Sequence, residues 1–231
     1  PGLCALLDAI SGSGNSKFAS SGGKKPRRKV NSGLVGFGIA PRINAAGRIA
    51  HAMMAVDLLL ADTPEHAEEM AAELCAINTH RQTEENAIAE QAYAMIDAQL
   101  EDAKRNGEAP PSVIVLEDDG WMQGVVGIVA SRMAEEYCCP AFLICLDGDH
   151  GKASSRSYGG FNLFSALSEL SDLLESYGGH ELAAGFTIHA DRIGDFRKAI
   201  CEKVSASYTE DVPRTVLDCD CAITPELLTL Y

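Results

Sequence analysis

The 231-residue sequence lacks the features of several protein classes. No apolar run approaches the roughly 18 residues that a membrane-spanning helix needs, and no basic-then-apolar stretch at the N-terminus indicates a secretory signal. The eight cysteines include no C-x-x-C pair, and several lie in apolar stretches, which is typical of buried free thiols in a reducing cytoplasm. We therefore expect a cytoplasmic protein without membrane contact. The chain opens at Pro1, which predicts a fragment or a processed product.

Basic residues are also scarce, with 19 Lys and Arg against 33 Asp and Glu and a net charge of −14. Six of the basic residues fall in the Gly/Ser-rich segment 11–33, whose composition predicts a flexible loop. This segment is either a solvated insertion or a contact for nucleic acid. The strongly acidic remainder cannot attract a polyanion by its bulk charge, so any phosphate recognition there requires a few well-placed donors.

One long helix dominates the N-terminal half of the sequence. Residues 2–10 and 52–60 predict short helices, and the Gly- and Pro-punctuated stretch 35–48 predicts a loop or turn that leads into a helix. Thr63 suits a helix N-cap and Pro64 the first helical position. Since no Gly or Pro follows until Gly107, we expect a helix of about 40 residues, roughly 60 Å long.

The hydrophobic pattern of this helix predicts that it bridges two bodies. Apolar stripes occupy its two ends, whereas residues 78–86 are polar all round, which predicts a solvated middle. A coiled coil is the alternative, but the polar gap interrupts its heptad seam.

After Gly107 the pattern alternates between strands and helices. This alternation predicts an α/β domain whose sheet is covered by helices. We expect a further β element from residue 212 onward. The predicted strands cover 112–116, 141–146 and 183–189, with a polar loop or strand at 154–157, and the predicted helices cover 125–137, 161–177 (ending at Gly178) and 191–207.

Three groups of residues are candidates for a functional site, and each also has a purely structural interpretation. Gly178-Gly179-His180 offers bare backbone N–H groups beside an imidazole, or it forms a helix C-cap. The run 154–157 (SSRS) surrounds one guanidinium with hydroxyls that suit a phosphate or carboxylate, or it is a polar loop. The run 41–48 (PRINAAGR) brackets small residues with two arginines, or it packs between domains. Glycines at 120–127 open a helix and favour close packing over a phosphate cradle.

In chain order, GFGIAPRINAAGR, GWMQGVVGIVASR, SSRSYGGFNLFSAL and SDLLESYGGHELAAGFT resemble the RecJ family. Members of this family are single-strand-specific 5′→3′ DNA exonucleases of the DHH phosphoesterase superfamily. The resemblance runs from about residue 2 to about residue 221. It implies an enzyme that acts in DNA repair and recombination and hydrolyses phosphodiesters with Mn²⁺ or Mg²⁺ held by Asp and His ligands of a DHH domain.

The resemblance also implies a domain layout. We expect a tail of the DHH domain at 1–61, a connecting helix at 62–106, a DHH-associated substrate-binding domain at 107–210 and a truncated OB-fold start at 211–231. No Asp-His-His run occurs, so we expect no catalytic or metal-ligating residue in this chain and no nuclease activity from it alone. The DHH domain in cis and single-stranded DNA are the expected partners.

The resemblance assigns substrate contacts to nine residues of this sequence. Some would hold the DNA 5′-phosphate or backbone, some would line a cleft that faces the metal ions, and some would touch DNA at the junction with the DHH domain. These groups are, respectively, Ser154, Arg156 and Ser157; Gly178, Gly179 and His180; and Arg42, Asn44 and Arg48.

Two departures and two alternatives accompany this interpretation. Many relatives have His where this chain has Met122, so Met122 is assigned no role, and the insertion at 11–33 is unusual for the family. The first alternative is that the chain derives from another DHH phosphoesterase, which cleaves oligonucleotides or cyclic dinucleotides. The second is that it derives from a catalytically inactive RecJ-related scaffold. The motif PRINAAGR and the long helix favour RecJ over the other phosphoesterases.

Overall fold

The structure is a computed structural model that describes residues 1–12, 30–208 and 219–224. Most of the predicted basic segment 11–33 and most of the predicted β element from residue 212 onward lie outside these residues. Residues 219–224 have no helix or strand. None of the helices in the described ranges is long and apolar enough to cross a membrane.

The described residues before the long helix form a small helical body. The helices α1, α2, α3 and α4 cover Gly2–Gly12, Ser32–Leu34, Ala40–Ile49 and Met53–Leu60, and a π-helical turn, Val35–Ile39, joins α2 to α3. The prediction of a loop or turn at 35–48 was therefore wrong. Pro41 lies in the first turn of α3, directly after the π-helical turn, so the glycines and the proline of this stretch lie within helices rather than in a loop.

The long helix α5 covers Pro64–Asn106, and its 43 residues confirm the predicted length. At its start, the Thr63 Oγ1 accepts a hydrogen bond from the backbone N–H of His66 at 3.3 Å. At its end, Gly107 adopts a left-handed conformation with φ of 71° and donates its N–H to the last carbonyls. The sequence pattern of caps therefore specifies both ends of the helix.

Each end of α5 contributes to a separate hydrophobic core. Near its N-terminus, Ala71 and Leu74 pack with residues of α1, α3 and α4. Further along, Ile88 and Ala92 pack with α6 (Gln123–Tyr137) and with one face of the sheet. This arrangement agrees with the bridging role that the two apolar stripes predict.

The middle of α5 differs from the prediction of a fully solvated segment. Asn78 is only 4% exposed, and the side chain of Arg81 is 11% exposed. Arg81 forms an ion pair with Glu85, and its Nη2 lies 3.4 Å from the Asn78 Oδ1. We call these three residues the mid-helix polar cluster. They continue the stripe of Leu74 and Ile88 at spacings of three and four residues, so they lie on the buried face of α5.

Replacing Arg81 with alanine is expected to lower the free energy of unfolding by about 1–3 kcal/mol, because it leaves the half-buried Glu85 carboxylate without its cation. Urea denaturation of the wild-type and variant chains measures this difference. The matched control is Arg105→Ala on the same helix, whose ion pair with Asp102 is exposed and which is expected to change stability by less than about 0.5 kcal/mol. Equal losses for the two variants would contradict a structural role for the cluster.

Beyond α5 the chain forms a five-stranded sheet with the order β1-β2-β3-β5-β4. The pair β1–β2 is parallel and the other pairs are antiparallel. One face is covered by α5 and α6, and the other by α7 and α8. This fold confirms the α/β prediction. The strands β1 to β5 are Ile114–Asp118, Ala141–Asp147, His150–Arg156, Ser176–Gly179 and Ala183–His189, and the helices α7 and α8 are Leu163–Glu169 and Ile193–Ser207.

Several boundaries differ from the sequence prediction by two residues or more. The first strand is shifted from 112–116 to Ile114–Asp118. The helix predicted over 161–177 ends at Glu169, and a 3₁₀ turn, Ser171–Leu173, leads to strand β4, so Gly178 does not terminate a helix. Leu170 and Leu173 still pack on the core at helix-like spacing, which explains why periodicity alone indicated one continuous helix.

Candidate functional site

Strand β3 directs two predicted site residues toward helix α6. Ser154 pairs with Leu143, and Arg156 pairs with Ala141; both partners belong to the core beneath α6. Because side chains alternate along a strand, Ser154 and Arg156 share this face, whereas Ser155 points to the other. The hydroxyl of Ser155 is fully buried and donates to the Ala184 carbonyl at 2.8 Å. The run at 154–157 therefore offers only alternate side chains to a ligand.

Two glycines of α6 bring three segments of the chain together. A Cβ on Gly127 would lie 2.8 Å from the Ser154 Oγ and 3.0 Å from the Arg156 Nη2. A Cβ on Gly124 would lie 2.1 Å from the carbonyl oxygen of Arg48, at the end of α3. At Gly124 the neighbouring atom is backbone, so only glycine permits the approach, whereas at Gly127 the neighbours are side-chain ends. Gly124 and Gly127 therefore serve close packing.

The result is a cluster of two guanidinium groups, from Arg48 and Arg156, beside a hydroxyl. The Arg156 Nη1 donates to the Ser155 carbonyl at 2.8 Å and lies 3.3 Å from the Ser154 Oγ. The Arg48 Nη1 donates to the Gly124 carbonyl at 3.0 Å. Within the described ranges, no carboxylate forms an ion pair with either arginine.

The electrostatics of this cluster favour an anion. Burial lowers the pKa of the Arg156 guanidinium, and the nearby charge of Arg48 lowers it further. Both causes disfavour the charged form, and a bound phosphate or carboxylate would relieve the second by adding an opposite charge. The guanidinium is also half-buried, which strengthens any charge-assisted hydrogen bond that it donates.

The Gly178-Gly179-His180 segment lies at the same end of the sheet. Arg156 pairs with Ala183 on β5, and the backbone N–H of His180 donates to the Ala183 carbonyl at 2.9 Å. Arg156 and His180 therefore lie on either side of Ala183. Two spacings between neighbouring strands, or about 10 Å, separate them. Two residues further along the strands, the row on the same face holds Ser154, Gly185 and Gly178.

This part of the sheet is open. Helix α6 packs mainly on β2 and β3, and no atom lies within 4 Å of a Cβ built on Gly178. Gly179 has a φ of 136°, which turns the chain at the end of β4. The Nδ1 of His180 accepts the N–H of Leu182 at 3.3 Å, so the neutral imidazole carries its proton on Nε2 and offers a donor there.

The three remaining predicted residues have other surroundings. The hydroxyl of Ser157 donates to the Phe161 carbonyl, which shapes the turn after β3. Arg42 contacts α5 and the π-helical turn, where its Nε lies 3.2 Å from the Cys75 Sγ and its Nη1 donates to the Gly38 carbonyl at 2.7 Å. Asn44 is exposed one helical turn before Arg48 and shares its face.

Arg42 also borders a cavity of about 440 Å³ on the helical body. The structure thus brings Arg48, Ser154 and Arg156 together, places Gly178, Gly179 and His180 at the same end of the sheet, and leaves Arg42 apart.

Comparisons with known proteins show which sequences and structures this chain resembles. Residues 111–206 match the DHHA1 domain family. The chain is 38% identical over 199 residues to the single-stranded-DNA-specific exonuclease RecJ of Bacillus subtilis, covering 84% of this chain and 24% of that protein.

Solved structures of RecJ are also similar to this chain. The crystal structure of RecJ from Thermus thermophilus in complex with Mn²⁺ is 35% identical, with a TM-score of 0.70 over 84% of this chain and 28% of the other. The structure of RecJ from the same organism in complex with Mg²⁺ is 35% identical, with a TM-score of 0.64 over 75% of this chain and 26% of the other. The chain therefore spans about a quarter of the length of these relatives.

Proposed function

Because the chain carries a DHHA1 domain at residues 111–206 and is homologous to the RecJ single-stranded-DNA-specific exonucleases, we propose that it is the substrate-binding part of such an enzyme. The observation that carries this proposal is the cluster of Arg48, Ser154 and Arg156 at the open end of the sheet. An anion site with two cations and no carboxylate suits a nucleic-acid phosphate on an otherwise acidic chain.

The proposal gives each part of this site a role. Arg156 and Arg48 bind the 5′-phosphate or a backbone phosphate of single-stranded DNA, and Ser154 donates its hydroxyl to the same group. His180 donates from Nε2, while Gly178 and Gly179 let the nucleotide approach the backbone. Asn44 extends the contact along α3. Ser157 supports the turn after β3, and Arg42 stabilises the junction with the missing domain.

The catalytic metal ions are assigned to a part of the protein outside this chain. Relatives from Thermus thermophilus hold Mn²⁺ or Mg²⁺. In the residues that the structure describes, no group of three or more His, Cys, Asp or Glu side chains is placed to hold a metal ion. The described residues therefore supply no such ligand group for these ions. A 5′→3′ exonuclease acting in cytoplasmic DNA repair and recombination would supply their ligands from a DHH domain.

The same proposal divides the chain into functional parts. Residues 1–61 belong to the edge of the DHH domain, 62–106 connect it to the substrate-binding domain at 107–210, and 211–231 begin an OB-fold. The two hydrophobic cores joined by α5 support the first three of these divisions.

The decisive assay compares this 231-residue chain with the full-length gene product. We expect the full-length protein to digest single-stranded DNA from the 5′ end in the presence of Mn²⁺ and to spare duplex DNA. We expect the isolated chain to bind 5′-phosphorylated oligonucleotides weakly and to release no nucleotides.

Three outcomes would overturn this proposal. Cleavage of single-stranded DNA by the purified chain would show that the cutting residues lie within it. A full-length protein that digests only short oligonucleotides or cyclic dinucleotides would favour another DHH phosphoesterase, and one that cuts nothing would favour a scaffold.

A further inference from the structure

A pair of histidines lies at the end of the sheet opposite to Arg156. His150 begins β3 and is paired directly with His189, the last residue of β5. Arg156 is the last residue of the same seven-residue β3, so about 20 Å of strand separates it from His150. This end of the sheet has no role in the proposed DNA site.

The distance between the two imidazole centroids is compatible with a shared metal ion. Their centroids are 5.4 Å apart. Two imidazoles on one tetrahedral Zn²⁺ have centroids about 5 Å apart, because each Zn–N bond is about 2 Å and each nitrogen lies about 1 Å from its ring centre. The rings cross at 77°, which a tetrahedral ion tolerates because each ring is free to rotate about its own metal bond.

Both rings are also oriented by a carboxylate. The Nδ1 of His150 lies 2.7 Å from the Glu175 Oε1, and the Nδ1 of His189 lies 2.7 Å from the Asp191 Oδ1. A carboxylate that accepts the Nδ1 proton leaves the Nε2 lone pair available, which is the usual arrangement of histidines that bind zinc. The two carboxylates come from different segments, so each ring has a carboxylate partner of its own.

We propose that His150 and His189 bind a divalent transition-metal ion of the zinc or nickel class through their Nε2 atoms, with water completing the coordination. Imidazole ligands select these ions over Mg²⁺ and Mn²⁺, which prefer oxygen. The bound ion joins β3 to β5 and, through Glu175, secures the residue that precedes β4. It therefore stabilises the sheet from the end opposite to the DNA site.

The test is a calorimetric titration of the metal-stripped 231-residue chain with Zn²⁺ and with Ni²⁺ near pH 7.5, accompanied by thermal unfolding. One ion is expected to bind per chain and to raise Tm. His150→Ala and His189→Ala are each expected to weaken binding at least tenfold and to abolish the rise in Tm. Glu175→Gln and Asp191→Asn are expected to weaken binding by roughly tenfold while the histidines remain.

A matched control is His80→Ala, which removes a single exposed histidine that is also near a carboxylate, Glu84. This variant is expected to bind Zn²⁺ like the wild type. Unchanged stoichiometry and affinity in both His150→Ala and His189→Ala would overturn the proposal, as would the lack of saturable Zn²⁺ or Ni²⁺ binding by the folded wild-type chain. Neither result bears on the DNA site, which is measured separately.

Discussion

Replacing Arg156 with alanine is expected to weaken binding of a 5′-phosphorylated single-stranded oligonucleotide by roughly tenfold to a hundredfold, because charge-assisted hydrogen bonds contribute about 1.5–3 kcal/mol each. The stability of the chain is expected to stay within about 1 kcal/mol of the wild type, since the variant also removes the repulsion from Arg48. Fluorescence anisotropy measures the affinity, and thermal unfolding measures the stability. Loss of binding without loss of stability identifies a residue that serves a ligand.

The salt dependence of binding provides a second readout. Removing one phosphate contact is expected to reduce the slope of log K against log salt by about 0.7 on single strands. The control variant is Arg192→Ala, which removes a positive charge near Asp195 at the other end of the domain. Equal loss of affinity in the two variants would indicate that net charge, rather than a specific site, governs binding.

Replacing Gly124 with alanine is expected to lower the free energy of unfolding by about 2–3 kcal/mol and to weaken oligonucleotide binding as well. The added methyl group would lie 2.1 Å from the Arg48 carbonyl oxygen, so the end of α3 must retreat from α6. This movement breaks the hydrogen bond from Arg48 to the Gly124 carbonyl and separates the two guanidinium groups. Urea denaturation and anisotropy on the same preparation measure both effects.

Gly194→Ala provides the matched control for this variant. Gly194 also lies in a helix, α8, but a Cβ at this position meets no atom within 4 Å. Alanine is therefore expected to stabilise the chain there by about 0.5–1 kcal/mol through its higher helix propensity. If Gly124→Ala behaved in the same way, the close contact between α3 and α6 would be refuted.

Local signals in the sequence predicted the elements whose ends are marked by capping residues, glycine or proline. Thr63, Pro64 and Gly107 specify the long helix because capping depends only on neighbouring residues. The alternation of apolar strands and helices predicted the α/β domain for a similar reason. Where a proline or glycine lies inside a helix or strand instead of a turn, the local signal misleads, as at Pro41 in α3 and Gly178 in β4.

The candidate site was predictable in its residues but not in its geometry. The motifs indicated Ser154, Arg156 and His180, yet their common end of the sheet follows from strand order and register, which no local pattern encodes. The proximity of Arg48 to Arg156 depends on two glycines, Gly124 and Gly127, whose spacing of three residues on one helix face was the available signal. The packing role of these glycines becomes visible only in the tertiary structure.

The mid-helix polar cluster has a consequence for the dimensions of the molecule. Leu74 and Ile88, on either side of it, are 14 residues apart, or about 21 Å along the helix axis. Sliding α5 by one heptad would bury Arg81 or Asn78 against aliphatic side chains without compensation, so the axial offset between the two bodies has a single favourable value. The distance between the two hydrophobic cores is therefore set by a helical spacer of fixed length, and any change in that distance would have to deform α5.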